Sequence, residues 1–135
     1  MSFAALLGGL ALANAGLGVV HGFAAPIGGM FPAPHGAVCA AILPAGVRAN
    51  LHALADTTRY ETIAEILTGH RSGDALVEYL QRLTAELGIP GLRAYGVSEE
   101  HTEELADKAA QASSMKANPV ALPPETLREI VSAAL

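Results

Sequence analysis

The chain of 135 residues has no tryptophan, three phenylalanines, three tyrosines and one cysteine. A single thiol, Cys39, excludes an internal disulfide and fits a reducing compartment such as the cytoplasm. Acidic residues are missing from the first 55 positions. All thirteen lie at or after Asp56, and Arg48 is the sole formal charge before it. The net charge of −5 comes without any basic stripe, which argues against a nucleic-acid partner. There is no internal repeat, no strand of useful length, and no glycine-rich phosphate loop following a strand, so nothing here holds a dinucleotide unaided. No Ser–His–acid order stands out either.

What is present is apolar and helix-forming. Hydrophobic residues make up 51% of the chain, with Ala and Leu far ahead of the strand formers. The length suits one domain with a real core. The expectation is an all-α fold: a single helical-bundle domain over residues 1–135, built of six or seven helices. Residues 1–55, nearly free of charge, are expected to be buried and the rest amphipathic.

The run SFAALLGGLALANAGLGVV is long enough to cross a bilayer, and Ala13-Asn14-Ala15 resembles a signal-cleavage site. Either reading needs a positive flank, and no Lys or Arg precedes Arg48. No membrane partner is expected. A helix over residues 2–17, apolar all round and packed inside the domain, is the better account.

Punctuation marks the other elements. Residues 19–29 read as a short helix containing Pro26. Phe31-Pro32-Ala33-Pro34 cannot be helical throughout, because a residue before proline is pushed toward extended geometry. A helix over about 35–54 follows, with Pro34 in its first turn and Pro44 as a kink. Asp56-Thr57-Thr58 offers caps for a helix at 58–68 that ends at Gly69. Ser72 opens the next, whose apolar positions 76, 77, 80, 83 and 87 form one stripe. Gly88 stops it and Ile89-Pro90-Gly91 turns the chain. Ser98 starts a helix running to about Ala112, residues 113–122 are a loop, and Pro123-Pro124 start a last helix with Leu127, Ile130, Val131 and Leu135 on one side.

His21 and His35 stand fourteen positions apart. Between them lie Gly22, Gly28, Gly29 and three prolines, and no charged residue. Neutral imidazoles are ready ligands for iron- or zinc-like ions. A fold-back at the Phe31–Pro34 loop would bring the end of one helix to the start of the next, each presenting a histidine. The residues alone leave two readings open: a shared metal ion, or two partly buried, hydrogen-bonded rings. His52, His70 and His101 sit near helix ends or on polar faces, where solvent exposure is expected. Cys39, one turn after His35, reads as a packed thiol rather than a ligand.

The stretch GLGVVHGFAAPIGGMFPAPHGAVCAAILP resembles the metal-binding signature of the iron-containing (group III) alcohol dehydrogenases and their maleylacetate reductase relatives. LGIPGLRAYGVSEEHTEELADKAAQASSMKANP resembles that family's C-terminal region, with LGIP, a following GV and a late Asn-Pro. The resemblance covers essentially the whole chain. It implies an all-helical C-terminal domain that binds iron(II) or zinc. In the full-length family that domain faces an N-terminal domain holding NAD(P), and hydride passes between the nicotinamide and a small alcohol or aldehyde. It further implies a metal held by one aspartate and three histidines, the last two of which match His21 and His35.

Two departures go with the resemblance. No Asp precedes Asp56 and no His precedes His21, so the family's Asp-x-x-x-His pair and its nucleotide-binding domain are expected to be absent from these 135 residues, leaving an incomplete metal site. Many members also carry a histidine four residues after the first signature histidine, and Ala25 stands there. The isolated chain is therefore expected to be inactive, with no catalytic or NAD(P)-binding residue of its own. The alternative is a non-catalytic helical scaffold or partner subunit, one that self-associates through an exposed apolar cleft face or pairs with a separate nucleotide-binding chain.

Overall fold

In the computed structural model, which describes residues 2–135, seven α-helices follow one another: α1 Ser2–Ala15, α2 Val19–Met30, α3 His35–Ala53, α4 Thr58–Thr68, α5 Gly73–Glu86, α6 Thr102–Gln111 and α7 Pro124–Ala133. Short 3₁₀ turns occupy Leu92–Tyr95, Glu99–His101 and Ser113–Ala117, and there is no strand among the described residues. The fold is all-α, as the composition and punctuation predict.

Helices α2, α3, α6 and α7 form the core. Packing runs from α2 to α3 and α6, and from α7 to α3 and α6, so the four close a ring. Each contributes one apolar stripe: Val19, Phe23, Ala24 and Ile27 from α2, Val38, Ile42 and Ala49 from α3, Leu105, Ala106 and Ala109 from α6, and Leu127, Ile130 and Val131 from α7. Spacings of three and four put these side chains on one face of each helix. Leu92 and Val97 plug the ring from the turn between α5 and α6. Helix α5 lies on α3, and α4 lies on α5.

Local signals set most boundaries. Gly69 takes φ 77°, the left-handed conformation that ends α4. Ser72 caps α5, its side chain accepting from the Ala75 N–H. Pro34 stands just before α3 rather than within its first turn. Pro44 is buried inside α3, which runs on through it to Ala53. The Ser98 helix begins as a 3₁₀ turn before α6 proper, and the expected loop at 113–122 contains the Ser113–Ala117 turn. Of the α5 stripe, Leu76 and Val77 are buried, while Leu87 is exposed.

One expectation fails. The first helix is not packed inside the domain: none of its residues is buried, and Phe3, Leu6, Leu7, Leu10 and Leu12 are all exposed. The physical reason is that the four-helix ring is already closed without it. An all-round apolar helix has no preferred face, and the core it would have to join is already made by α2, α3, α6 and α7. Gly16, at φ +73°, turns the backbone after α1, and α1 and α2 meet at 96°. Among the described residues no single helix is long and apolar enough to cross a membrane; α1 and α2 reach that length and composition only as this bent pair.

A polar tie anchors the start of α2. The Asn118 side-chain oxygen accepts from the Val19 N–H at 3.0 Å and from Asn50 Nδ2 at 3.2 Å. Asn118 Nδ2 donates in return to Asn50 Oδ1 at 2.8 Å and to the Val120 carbonyl at 2.8 Å. Asn50 is only 5% exposed and also donates to the Tyr60 hydroxyl. An amide 99 positions away thus caps the first N–H of α2, a role usually filled by the residue at the N-cap. Gly18 occupies that N-cap and offers no side chain.

Candidate metal site

His21 lies in the first turn of α2, and His35 is the first residue of α3. Both histidines therefore stand at helix starts, not at one helix end and one start as the spacing suggests. The reason is where the helices begin: α2 starts at Val19, and α3 starts at His35 directly after the extended Phe31–Pro34 link. Farther along α3, buried Gly46 meets the first turn of α2, where an added Cβ would lie 3.0 Å from Val19 Cγ1. A side chain here would press on Val19, so glycine lets α2 and α3 approach closely.

The link is held in place. Phe31 is half-buried, its ring edge-on to His101 at 4.9 Å between centroids and 80° between planes. His101 is consequently half-buried rather than exposed. Its Nδ1 accepts from the Ser98 backbone N–H at 3.0 Å, a cap for the turn that starts α6. Ser98 Oγ also contacts Glu100 Oε1 and His101 Nδ1, each at 2.9 Å. This Ser–Glu–His group is a cap and not a nucleophile, because the imidazole lone pair is already engaged by a backbone N–H. His52 and His70 are exposed, as expected.

The two signature rings meet. Their centroids are 5.4 Å apart, with 48° between ring planes. Cys39 joins them: Sγ lies 3.5 Å from His35 Nε2, and one donor atom from each of His21, His35 and Cys39 lies within 4.8 Å of the others. His35 is exposed, and the other two are half-buried. Burial pushes the Cys39 thiol up from its ordinary value. Its flank packs against the core, so the packed-thiol reading holds for part of the side chain, while the sulfur faces the imidazoles. The available signal for that proximity was the four-residue spacing from His35 on one helix.

This three-donor group is chemically suited to a borderline divalent ion, being neutral nitrogen plus sulfur, with one side open to solvent. Ala25, one turn after His21, is exposed and carries no titratable group. A separate cavity of about 700 Å³ lies between α3, α5 and α7, with Arg48, His52, Gln81 and Glu129 among its lining. None of His21, His35 or Cys39 borders it.

Known proteins share this arrangement of helices. The family model for the Fe-containing alcohol dehydrogenase family, C-terminal, matches residues 1–135. The 1,3-propanediol dehydrogenase of Citrobacter freundii is 35% identical over 127 residues, covering 88% of this chain and 32% of that protein. The NAD-dependent methanol dehydrogenase of Bacillus methanolicus is 32% identical over 143 residues, covering 100% and 37%. The crystal structure of a 1,3-propanediol oxidoreductase superposes with a TM-score of 0.89 at 33% identity, covering 100% of this chain and 37% of that one. An iron-containing alcohol dehydrogenase from Thermococcus thioreducens gives 0.82 at 31% identity, covering 98% and 35%. The chain thus spans about a third of the length of the relatives it matches. A whole-length family match, identities above 30% and the same helical architecture agree: the chain belongs to the Fe-containing alcohol dehydrogenase family, as its all-helical C-terminal domain.

Proposed function

We propose that these 135 residues are the metal-holding helical part of an iron-type, NAD(P)-dependent alcohol dehydrogenase. In the complete enzyme, hydride would pass between a nicotinamide and a small alcohol or aldehyde. The observation that carries this reading is the meeting of the His21 and His35 rings at 5.4 Å, each supplied by its own helix. The donor chemistry fits iron(II) or zinc, since neutral imidazoles suit both ions. When bound, such an ion would act as a Lewis acid on the substrate oxygen.

The chain's own residues have limited tasks. His21 and His35 hold two coordination positions, and the α2–α3 packing fixes the distance between them. Phe31 and His101 brace the connecting link, so that the His35 backbone is positioned before any ligand arrives. Ala25 can neither donate nor accept a proton, so proton movement has to be served by solvent or by groups outside the chain. The remaining ligands and the nicotinamide pocket would also come from outside these residues. Two imidazoles alone leave an incomplete site, and the chain by itself is expected not to turn over substrate.

The test is to incubate the chain with NAD(H), iron(II) or zinc, and a panel of primary alcohols and aldehydes, and in parallel to titrate the metal calorimetrically into the wild type, His21→Ala and His35→Ala. Metal uptake that depends on both histidines, without turnover, is expected. Turnover would refute the inactive-part reading, and uptake indifferent to both histidines would refute the site. The exposed apolar side chains all round α1 favour a second reading, a scaffold or partner subunit that associates through α1. A stable oligomer in size-exclusion chromatography, or a co-purified nucleotide-binding chain, would support it; a clean monomer would count against it.

A further inference from the structure

We propose that Cys39 is itself a metal-binding side chain, joining His21 and His35 in a Cys-His₂ site that takes zinc in preference to iron(II). The inference deepens the reading above and rests on it. Cys39 and His35 are four residues apart on α3, so their side chains leave the same face of that helix. On a tetrahedral zinc ion, sulfur at ~2.3 Å and nitrogen at ~2.0 Å stand about 3.5 Å from each other. Cys39 Sγ and His35 Nε2 are 3.5 Å apart, so this edge of the tetrahedron already has its length.

His21 arrives from α2, and all three donors lie within 4.8 Å of one another. Two nitrogens on one such ion stand ~3.3 Å apart, a gap that imidazole rotation can close. Three protein donors with a fourth position open is the pattern of a catalytic rather than a purely structural zinc site. Binding breaks the Cys39 S–H bond, forms a metal–sulfur bond and releases one proton to water, with no change of oxidation state. A thiolate makes the donor set softer, and iron(II) lies below zinc in the affinity order of such sites.

The test uses cobalt(II) as the probe, added to the reduced chain under nitrogen. The expected spectrum has an intense near-ultraviolet sulfur-to-cobalt charge-transfer band beside the visible bands of tetrahedral cobalt. Zinc should displace the cobalt, and iron(II) at equal concentration should not. Cys39→Ser and Cys39→Ala should abolish the charge-transfer band and raise the zinc dissociation constant by at least about tenfold, with the far-ultraviolet circular dichroism unchanged. Because the wild-type band is read without any variant, a variant that fails to fold leaves the test intact. Cobalt bound through His21 and His35 without that band would overturn the thiolate while leaving the imidazole pair standing. A chain that takes up no cobalt would overturn both.

Discussion

Removing the Asn118 side chain should destabilise the fold and loosen the metal site together. Asn118 does two separable things. It caps the Val19 N–H at the start of α2, and it pairs reciprocally with the Asn50 amide, which is 5% exposed. Asn118→Ala deletes the cap, a loss of ~1 kcal/mol. It also strands Asn50 Oδ1 away from water, since only Asn50 Nδ2 keeps a partner, the Tyr60 hydroxyl; that adds a further ~1–3 kcal/mol. The expected sum is about 2–4 kcal/mol. At ~4 °C per kcal/mol for a chain of this size, the thermal midpoint falls by roughly 8–16 °C.

Urea denaturation followed by circular dichroism measures the loss, and Asn50→Ala with the double variant separates its parts. Asn50→Ala keeps the cap and should cost less. The cycle should show a coupling of about 0.5–3 kcal/mol, because the two amides share hydrogen bonds. His21 sits two residues after the capped N–H, in the same turn. Zinc affinity should therefore fall in Asn118→Ala more than in Asn50→Ala. An Asn118→Ala protein within about 0.5 kcal/mol of wild type, the range of an ordinary surface substitution, would refute the reasoning. So would equal zinc affinity in both variants.

Other perturbations probe other layers. Gly46→Leu inserts a side chain where even a Cβ would be 3.0 Å from Val19 and 3.5 Å from Val20, so it should cost at least about 1–3 kcal/mol by overpacking and weaken metal uptake by parting α2 from α3, both read by denaturation and calorimetry. Leu10→Glu on α1 should change stability by less than ~0.5 kcal/mol and reduce any self-association seen in light scattering; a core position would instead lose about 2–5 kcal/mol. Stability should also fall on the acid side. Asp56 is held below its ordinary 3.8 by hydrogen bonding from Thr58, whose N–H lies 2.9 Å from Oδ1, and Glu104 below 4.5 by Lys108 at 2.8 Å. Both bind a proton more weakly when folded. Their contribution is complete above those ordinary values and disappears as pH falls through the lower folded ones, so Asp56→Asn and Glu104→Gln should lower the thermal midpoint at neutral pH and lose that difference from wild type as pH falls below ~4. Added salt should shrink the Glu104 part.

What could be read from the sequence was local. Gly69, Ser72 and Pro124 end or begin helices through their own backbone preferences, and each acts within one turn of where it stands. The stripes of α5 and α7 were legible for the same reason, since a period of three to four is a property of one segment. The meeting of His21 and His35 was suggested by their spacing around a proline loop, but its geometry was not. The meeting of the rings depends on how α2 and α3 pack against each other, and that packing includes contacts such as Gly46 against Val19, eleven residues beyond His35. The Asn50–Asn118 pair spans 68 positions and has no local signature at all.

Helix α1 departs from its expected burial for a more general reason. Hydrophobicity measures what a segment gains by leaving water, and that gain is the same whether the covering surface lies in the same chain or elsewhere. A core helix of this bundle betrays itself by being one-sided, as α7 does, because the ring must face solvent on its other side. A segment apolar on every side, such as α1, asks for cover all round, and a ring already filled by Phe23, Ile42, Leu105 and Val131 has none to give. The absence of charge before Arg48 thus reports two different environments. From Val19 onward it accompanies the core-forming stripes of α2 and α3; before Ala15 it accompanies a helix that the other described helices leave uncovered.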